Sequence, residues 1–140
     1  MKKLIATVAL VASLAGVSVL ATASPASAGA YGCSGWGARQ AGNYWVASGA
    51  YCATISGQGR YVQAVSGSYG ATRVCNWNIT AEFFDSSGRW YQTFTGGTHW
   101  SCGSWQNDVI WLDRYVQRGT MCSTLKSNGV RLTSVCHSIY

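Results

Sequence analysis

Cys75-Asn76-Trp77-Asn78-Ile79-Thr80-Ala81-Glu82-Phe83 is the stretch that decides the fold. Every second residue is apolar, and Asn76, Asn78, Thr80 and Glu82 stand between them. A period of two sends alternate side chains to opposite faces, so the segment reads as a strand with one buried side. Asp85-Ser86-Ser87-Gly88 supplies turn residues, and residues 90–94 the returning strand of a hairpin.

The same texture extends outward in both directions. Short strands are expected at 44–47, 51–55 and 61–65 upstream, and at 109–112, 115–117, 121–125 and 130–135 downstream. Glycine- and serine-rich turns separate them, and no stretch after residue 28 sustains a helical period. The fold class is therefore all-β, a small disulfide-stapled β-sandwich.

A repeat supports two motifs. Trp45-Val46-x-x-Gly49-x-x-Cys52-x-Thr54 matches Tyr115-Val116-x-x-Gly119-x-x-Cys122-x-Thr124, and Cys33-x-x-Trp36 matches Cys102-x-x-Trp105. Strand-turn chemistry reuses Gly and Thr cheaply, but the length of the match favours duplication into two Greek-key-like motifs. Each would cover the other's apolar face.

The first 28 residues read as a signal peptide. Lys2 and Lys3 precede an uncharged apolar run, and Ser24-Pro25-Ala26-Ser27-Ala28 offers a small-x-small site, so cleavage is expected after Ala28. A membrane anchor is the competing reading, because the run reaches the lower length limit for a spanning helix. The Ala-x-Ala site favours cleavage, and no comparable run follows. The mature chain is expected to be secreted, with no membrane association, as a single domain at 29–140.

Removing 28 residues from 140 leaves 112, enough for one core. Seven Arg and Lys126 remain against Glu82, Asp85, Asp108 and Asp113, a net charge of +4. Basic residues spread singly along the chain do not make a nucleic-acid footprint. Arg together with seven Trp and eight Tyr is the composition of interface hot spots.

All six cysteines (Cys33, Cys52, Cys75, Cys102, Cys122, Cys136) lie in this part. An even count in a short exported chain indicates a disulfide framework with fifteen possible pairings. A hairpin around Ser127-Asn128-Gly129 brings Cys122 near Cys136, and the Asp85–Gly88 hairpin brings Cys75 towards Cys102. Cys33–Cys52 follows by elimination. No C-x-x-C spacing suggests zinc, and neither metal nor cofactor is expected.

Catalysis finds little support. Glu82 and Asp85 read as a solvated face and a turn residue, Asp108 and Asp113 flank a strand, and His99 and His137 each lie near a proposed disulfide. No G-x-S-x-G or H-E-x-x-H motif is present, so the chain is read as no enzyme.

Binding is better supported. Trp36 and Trp105 sit in glycine-containing, cysteine-anchored segments, where each either closes an end of the core or stands out for a partner. Tyr31, Trp36 and Arg39 are the first candidates for partner contact. Trp105 and Arg118 are the second, on a separate face, with Arg114 a further rim residue.

The stretch from Cys75 to Asp85, then Thr98-His99-Trp100-Ser101-Cys102 and the ending Val135-Cys136-His137-Ser138-Ile139-Tyr140, resembles small secreted Streptomyces proteins, and more specifically the adaptor (B-type) subunit of umbrella toxin particles. The resemblance covers most of the mature chain. It implies a connector between a lectin-bearing subunit and the large toxin subunit, with an amino-terminal stretch inserting into a partner groove. This chain departs from that picture, since only residues 29–31 stand ahead of Gly32-Cys33. The alternatives are a protease inhibitor and a cell-wall or carbohydrate-binding module using Trp90, Tyr91, Trp100 and Trp105.

Overall fold

A computed structural model describes residues 29–140, apart from the Thr72 side chain. The expected signal peptide lies outside the described residues. Ten strands follow in order: β1 (Ala30–Trp36), β2 (Arg39–Ala41), β3 (Tyr44–Val46), β4 (Gly49–Gln58), β5 (Tyr61–Val74), β6 (Trp77–Asp85), β7 (Trp90–Thr95), β8 (Gly103–Tyr115), β9 (Gly119–Ser127) and β10 (Val130–Ile139). Sheet 1 has the order β1-β4-β5-β8 and sheet 2 the order β10-β9-β6-β7, while β2 and β3 form a separate ribbon. The fold is the expected disulfide-stapled, all-β sandwich.

The deciding strand behaves as its alternation demands. Trp77, Ile79, Ala81 and Phe83 are at most 1% exposed and face sheet 1. Tyr69 of β5 meets the Trp77 ring edge-on at 5.0 Å. Tyr51 of β4 reaches across to Ser123 of β9, their hydroxyls 2.5 Å apart. One expectation needs correction: Thr80, on the opposite face of β6, is 2% exposed rather than solvated. It lies between Thr95 of β7 and Thr124 of β9, so flanking strands exclude water from it.

The two halves share a pattern of strand pairing. In both halves an opening strand lies beside a hairpin, β1 with β4–β5 and β6 with β9–β10. Trp36↔Gly49 and Asp85↔Gly119 are equivalent register pairs. The hairpins turn on two residues each, Asn128-Gly129 with φ of 50° and 77° in the second, as the twist of paired strands requires. The Cys33/Trp36 and Cys102/Trp105 match is not part of this symmetry, because β8 leaves its own half to pair with β5 of sheet 1.

Cys33–Cys52, Cys75–Cys102 and Cys122–Cys136 are all bonded, the last two as the hairpins suggested and the first as elimination left it. Three disulfides in so small a domain fit an extracellular or otherwise oxidising environment. Among the described residues no helix is long and apolar enough to cross a membrane.

Two ends of the sandwich matter below. One gathers the β2–β3 ribbon, the corner at Cys75 and the segment 96–102. The other gathers the turns at 59–60, 86–89 and 116–118.

Candidate functional site

The acids are engaged separately. Asp85 accepts hydrogen bonds from the Ser87 hydroxyl and from the backbone N–H groups of Ser87 and Arg89. Those bonds hold its carboxyl below the usual range. Glu82 pairs with Lys126 at 3.3 Å, and Asp113 Oδ1 accepts from the Tyr61 hydroxyl at 3.4 Å. Asp108 lies 3.4 Å from His99, whose ring stacks on Trp77 with centroids 4.0 Å apart.

The Tyr51 hydroxyl feels the Asp108 charge and is bonded to Ser123, which is fully buried. Burial pushes the Tyr51 hydroxyl up to about 12 against the lowering effect of that bond, with Asp108 adding to the rise. A serine sealed between two sheets meets no substrate. Among the described residues no three His, Cys, Asp or Glu side chains converge as metal ligands.

The first group of contact candidates is broken up. Trp36 is 5% exposed: its Nε1 donates to the Ala47 carbonyl at 2.9 Å and its ring lies against Gly49. The cysteine-anchored segment that carries it is strand β1, whose last residue closes one end of the core. The expected inserting arm is corrected likewise, because Ala30 and Tyr31 pair in register with Ile55 and Thr54 of β4.

Tyr31 is 68% exposed on the outer face of sheet 1. Arg39 is exposed on β2, away from Tyr31, where its Nη1 donates to the Arg131 carbonyl at 3.4 Å. These three residues therefore form no single patch.

Trp105 is 79% exposed, as a contact residue should be. It opens the outer row of β8, with Trp111 further along the same face. Trp105 pairs with Gly70 and Trp111 with Ala64. Since Val109, Ser66 and Thr54 are successive partners of Tyr31, Trp105 and Tyr31 share one face instead of marking two. Arg118 lies at the far end, in a cleft of about 510 Å³ with Ser86, Ser87 and Tyr140.

Several exposed aromatics escaped the sequence reading. Trp45, 71% exposed, and Tyr44 stand on the ribbon, whose opposite side is anchored by buried Ala41 and Val46. Both aromatics line a 190 Å³ cleft with Arg73. The Arg73 guanidinium approaches Cys102 Sγ at 3.4 Å, beside exposed Trp100. At the other end Tyr115 is 76% exposed and meets Tyr61 edge-on at 5.3 Å, near Arg60 and Arg118. The signal for Tyr61 and Tyr115 was an adjacent Arg (Arg60-Tyr61, Arg114-Tyr115), which period-two reading treats as ordinary strand, whereas Tyr44-Trp45 carries no such mark.

Comparison with known proteins gives no match to this chain, whether among family models, curated proteins or solved structures.

Proposed function

We propose that the protein is a secreted, non-enzymatic connector, the adaptor of an umbrella-toxin-type particle that its sequence resembles, joining a lectin-bearing subunit to a large toxin subunit. The observation that supports this reading is that Arg and exposed aromatics gather at both ends of one rigid frame. Trp45, Tyr44, Arg39 and Arg73 stand at the ribbon end, and Tyr115, Arg60 and Arg118 at the other. Residues of these types supply most of the energy in protein interfaces when a partner desolvates them. Two such groups on one stapled domain suit a molecule that holds two partners at once.

Capture from culture supernatant tests the connector. The mature wild-type protein should retain two different proteins, one large and one lectin-bearing, identified by mass spectrometry. Trp45→Ala with Arg39→Ala should lose one of them, and Tyr115→Ala with Arg118→Ala the other. Loss of neither, or of both from either variant while the fold is intact, overturns the reading. Retention of a single protein that proves to be an inhibited protease favours the inhibitor instead.

A further inference from the structure

The outer face of sheet 1 is not used by that reading and differs from both ends in its chemistry. Its two middle strands contribute only Gly, Ala, Ser, Thr and Cys52 between Ala50 and Ser56 and between Ala64 and Gly70. Trp105 and Trp111 rise along one edge, and Tyr31 stands at the other. Asp108, on β8 between the two tryptophans, turns its carboxylate to the opposite side, towards His99, and the other charged residues nearest along the strands, Arg60, Arg73 and Asp113, lie at the ends of the face.

Trp105 is held in a particular way. A Cβ at Gly70 would lie 2.5–3.0 Å from three carbons of its six-membered ring, so the indole rests directly on bare backbone. One ring face is supported by the sheet while the residue stays 79% exposed. Beside it is a shallow depression of about 340 Å³ edged by Ser68, Gln106 and Asn107.

We propose that this face binds a neutral polysaccharide, with Trp105 as the stacking platform and Trp111 as a second contact. The apolar C–H face of a pyranose ring packs on an aromatic face, whose negative quadrupole attracts those hydrogens. The hydroxyls at the sugar's rim need uncharged donors and acceptors, which Ser68, Gln106 and Asn107 supply. Charge selects the occupant. A polyanion gains nothing from a face without cations, and a charged peptide would leave its ions unpaired there. Trp105 and Trp111 are six residues apart on one strand, roughly 20 Å at the strand rise, so the surface suits a chain of sugars over a single ring.

Depletion of the oxidised mature protein from solution by suspended chitin and by cellulose tests this. Wild type should bind at least one polymer, with little change between 0.1 and about 1 M salt, where surface charge is screened. Trp105→Ala should weaken binding at least tenfold and Trp111→Ala less, both at unchanged melting temperature. Gly70→Val should weaken it too by displacing the ring, and Trp105→Phe should restore part of the loss. No binding to either polymer, equal binding by Trp105→Ala, or binding only to dextran sulfate that salt abolishes overturns the proposal. Trp105→Ala should still capture the protein partners, so failure here and failure of the connector are separate results.

Discussion

The outer faces of the two sheets are opposites built on a similar pattern of strand pairing. On sheet 2, Thr80 donates to Glu82 at 3.2 Å, Glu82 pairs with Lys126, and the Thr124 and Ser134 hydroxyls lie 2.7 Å apart. Polar groups there satisfy one another along and across strands, and Thr80 and Thr124 are nearly inaccessible. On sheet 1 the equivalent surface carries small side chains, with large aromatics resting beside and over them and themselves standing in water. Inward positions hold the frame in both halves, while outward positions are free to differ. A face whose groups are mutually satisfied serves stability, and the one that leaves Trp105 and Trp111 in water is the face proposed above for binding.

The sharpest test sets two tryptophans against each other. Trp77→Ala should cost about 3–5 kcal/mol, since a fully buried ring is removed from the seam between the sheets. Trp105→Ala should stay within about 0.5 kcal/mol. Chemical denaturation of both variants measures the gap, and comparable losses would abolish the division between frame and surface.

Next in size are the disulfides, one on each outer face. Replacing Cys33–Cys52 or Cys122–Cys136 by paired alanines should cost about 2–4 kcal/mol each. The ribbon-end capture should survive loss of Cys122–Cys136.

Smaller again is the effect of the polar row. Thr124→Val keeps the shape of the side chain but strands the Ser134 hydroxyl, for a loss of about 1 kcal/mol in denaturation. Ser66→Ala on sheet 1, where no such row exists, should be nearly silent.

The smallest effect is a pH dependence. Burial lowers the pKa of His137 below 6.5, against a backbone contact with Ala53 that raises it. Its ring faces Gly32 at the closed edge of the sandwich, and Nε2 has no hydrogen-bond partner among the described residues. The folded state thus prefers the neutral ring, and the unfolded chain takes up the proton first. This contribution is complete above pH 6.5 and declines as pH falls below it towards the depressed native value. His137→Gln should flatten the melting temperature between pH 7 and pH 5. An unchanged slope would place the acid sensitivity elsewhere, with Asp85 the next group, losing its contribution at lower pH.

The frame was readable because alternation and turn residues are local signals. Residues 75–83, the two hairpins and the three bridges all followed from them. Strand β1 was missed because Tyr31-Gly32-Cys33-Ser34-Gly35 has the composition of a loop, and only pairing with β4 makes it a strand. The start of β8 was missed for the same reason. Trp36 and Trp105 could not be separated by local sequence, since both follow cysteine by three residues. Tertiary position decides between them: β1 turns Trp36 over Gly49 into the core, whereas β8 lays Trp105 over Gly70 on the outside. The ribbon's Trp45 looked like one more strand residue until β2 and β3 proved separate from both sheets.

Cys33 is the register partner of Cys52 and Cys122 of Cys136, while Cys75 and Cys102 extend the paired Val74 and Gly103. Two bridges therefore join register partners within a sheet, and the third clasps the two connections by which the chain passes between the sheets. In the oxidised denatured chain, loop entropy is already reduced around strand pairs that the native state needs. Refolding of that chain begins with its slowest searches shortened, and what remains is the docking of two partly assembled layers. A reduced chain must find every long-range pairing afresh, which in an all-β topology is the slow step. Stopped-flow refolding of the oxidised protein should therefore run well ahead of refolding from the reduced, alkylated form.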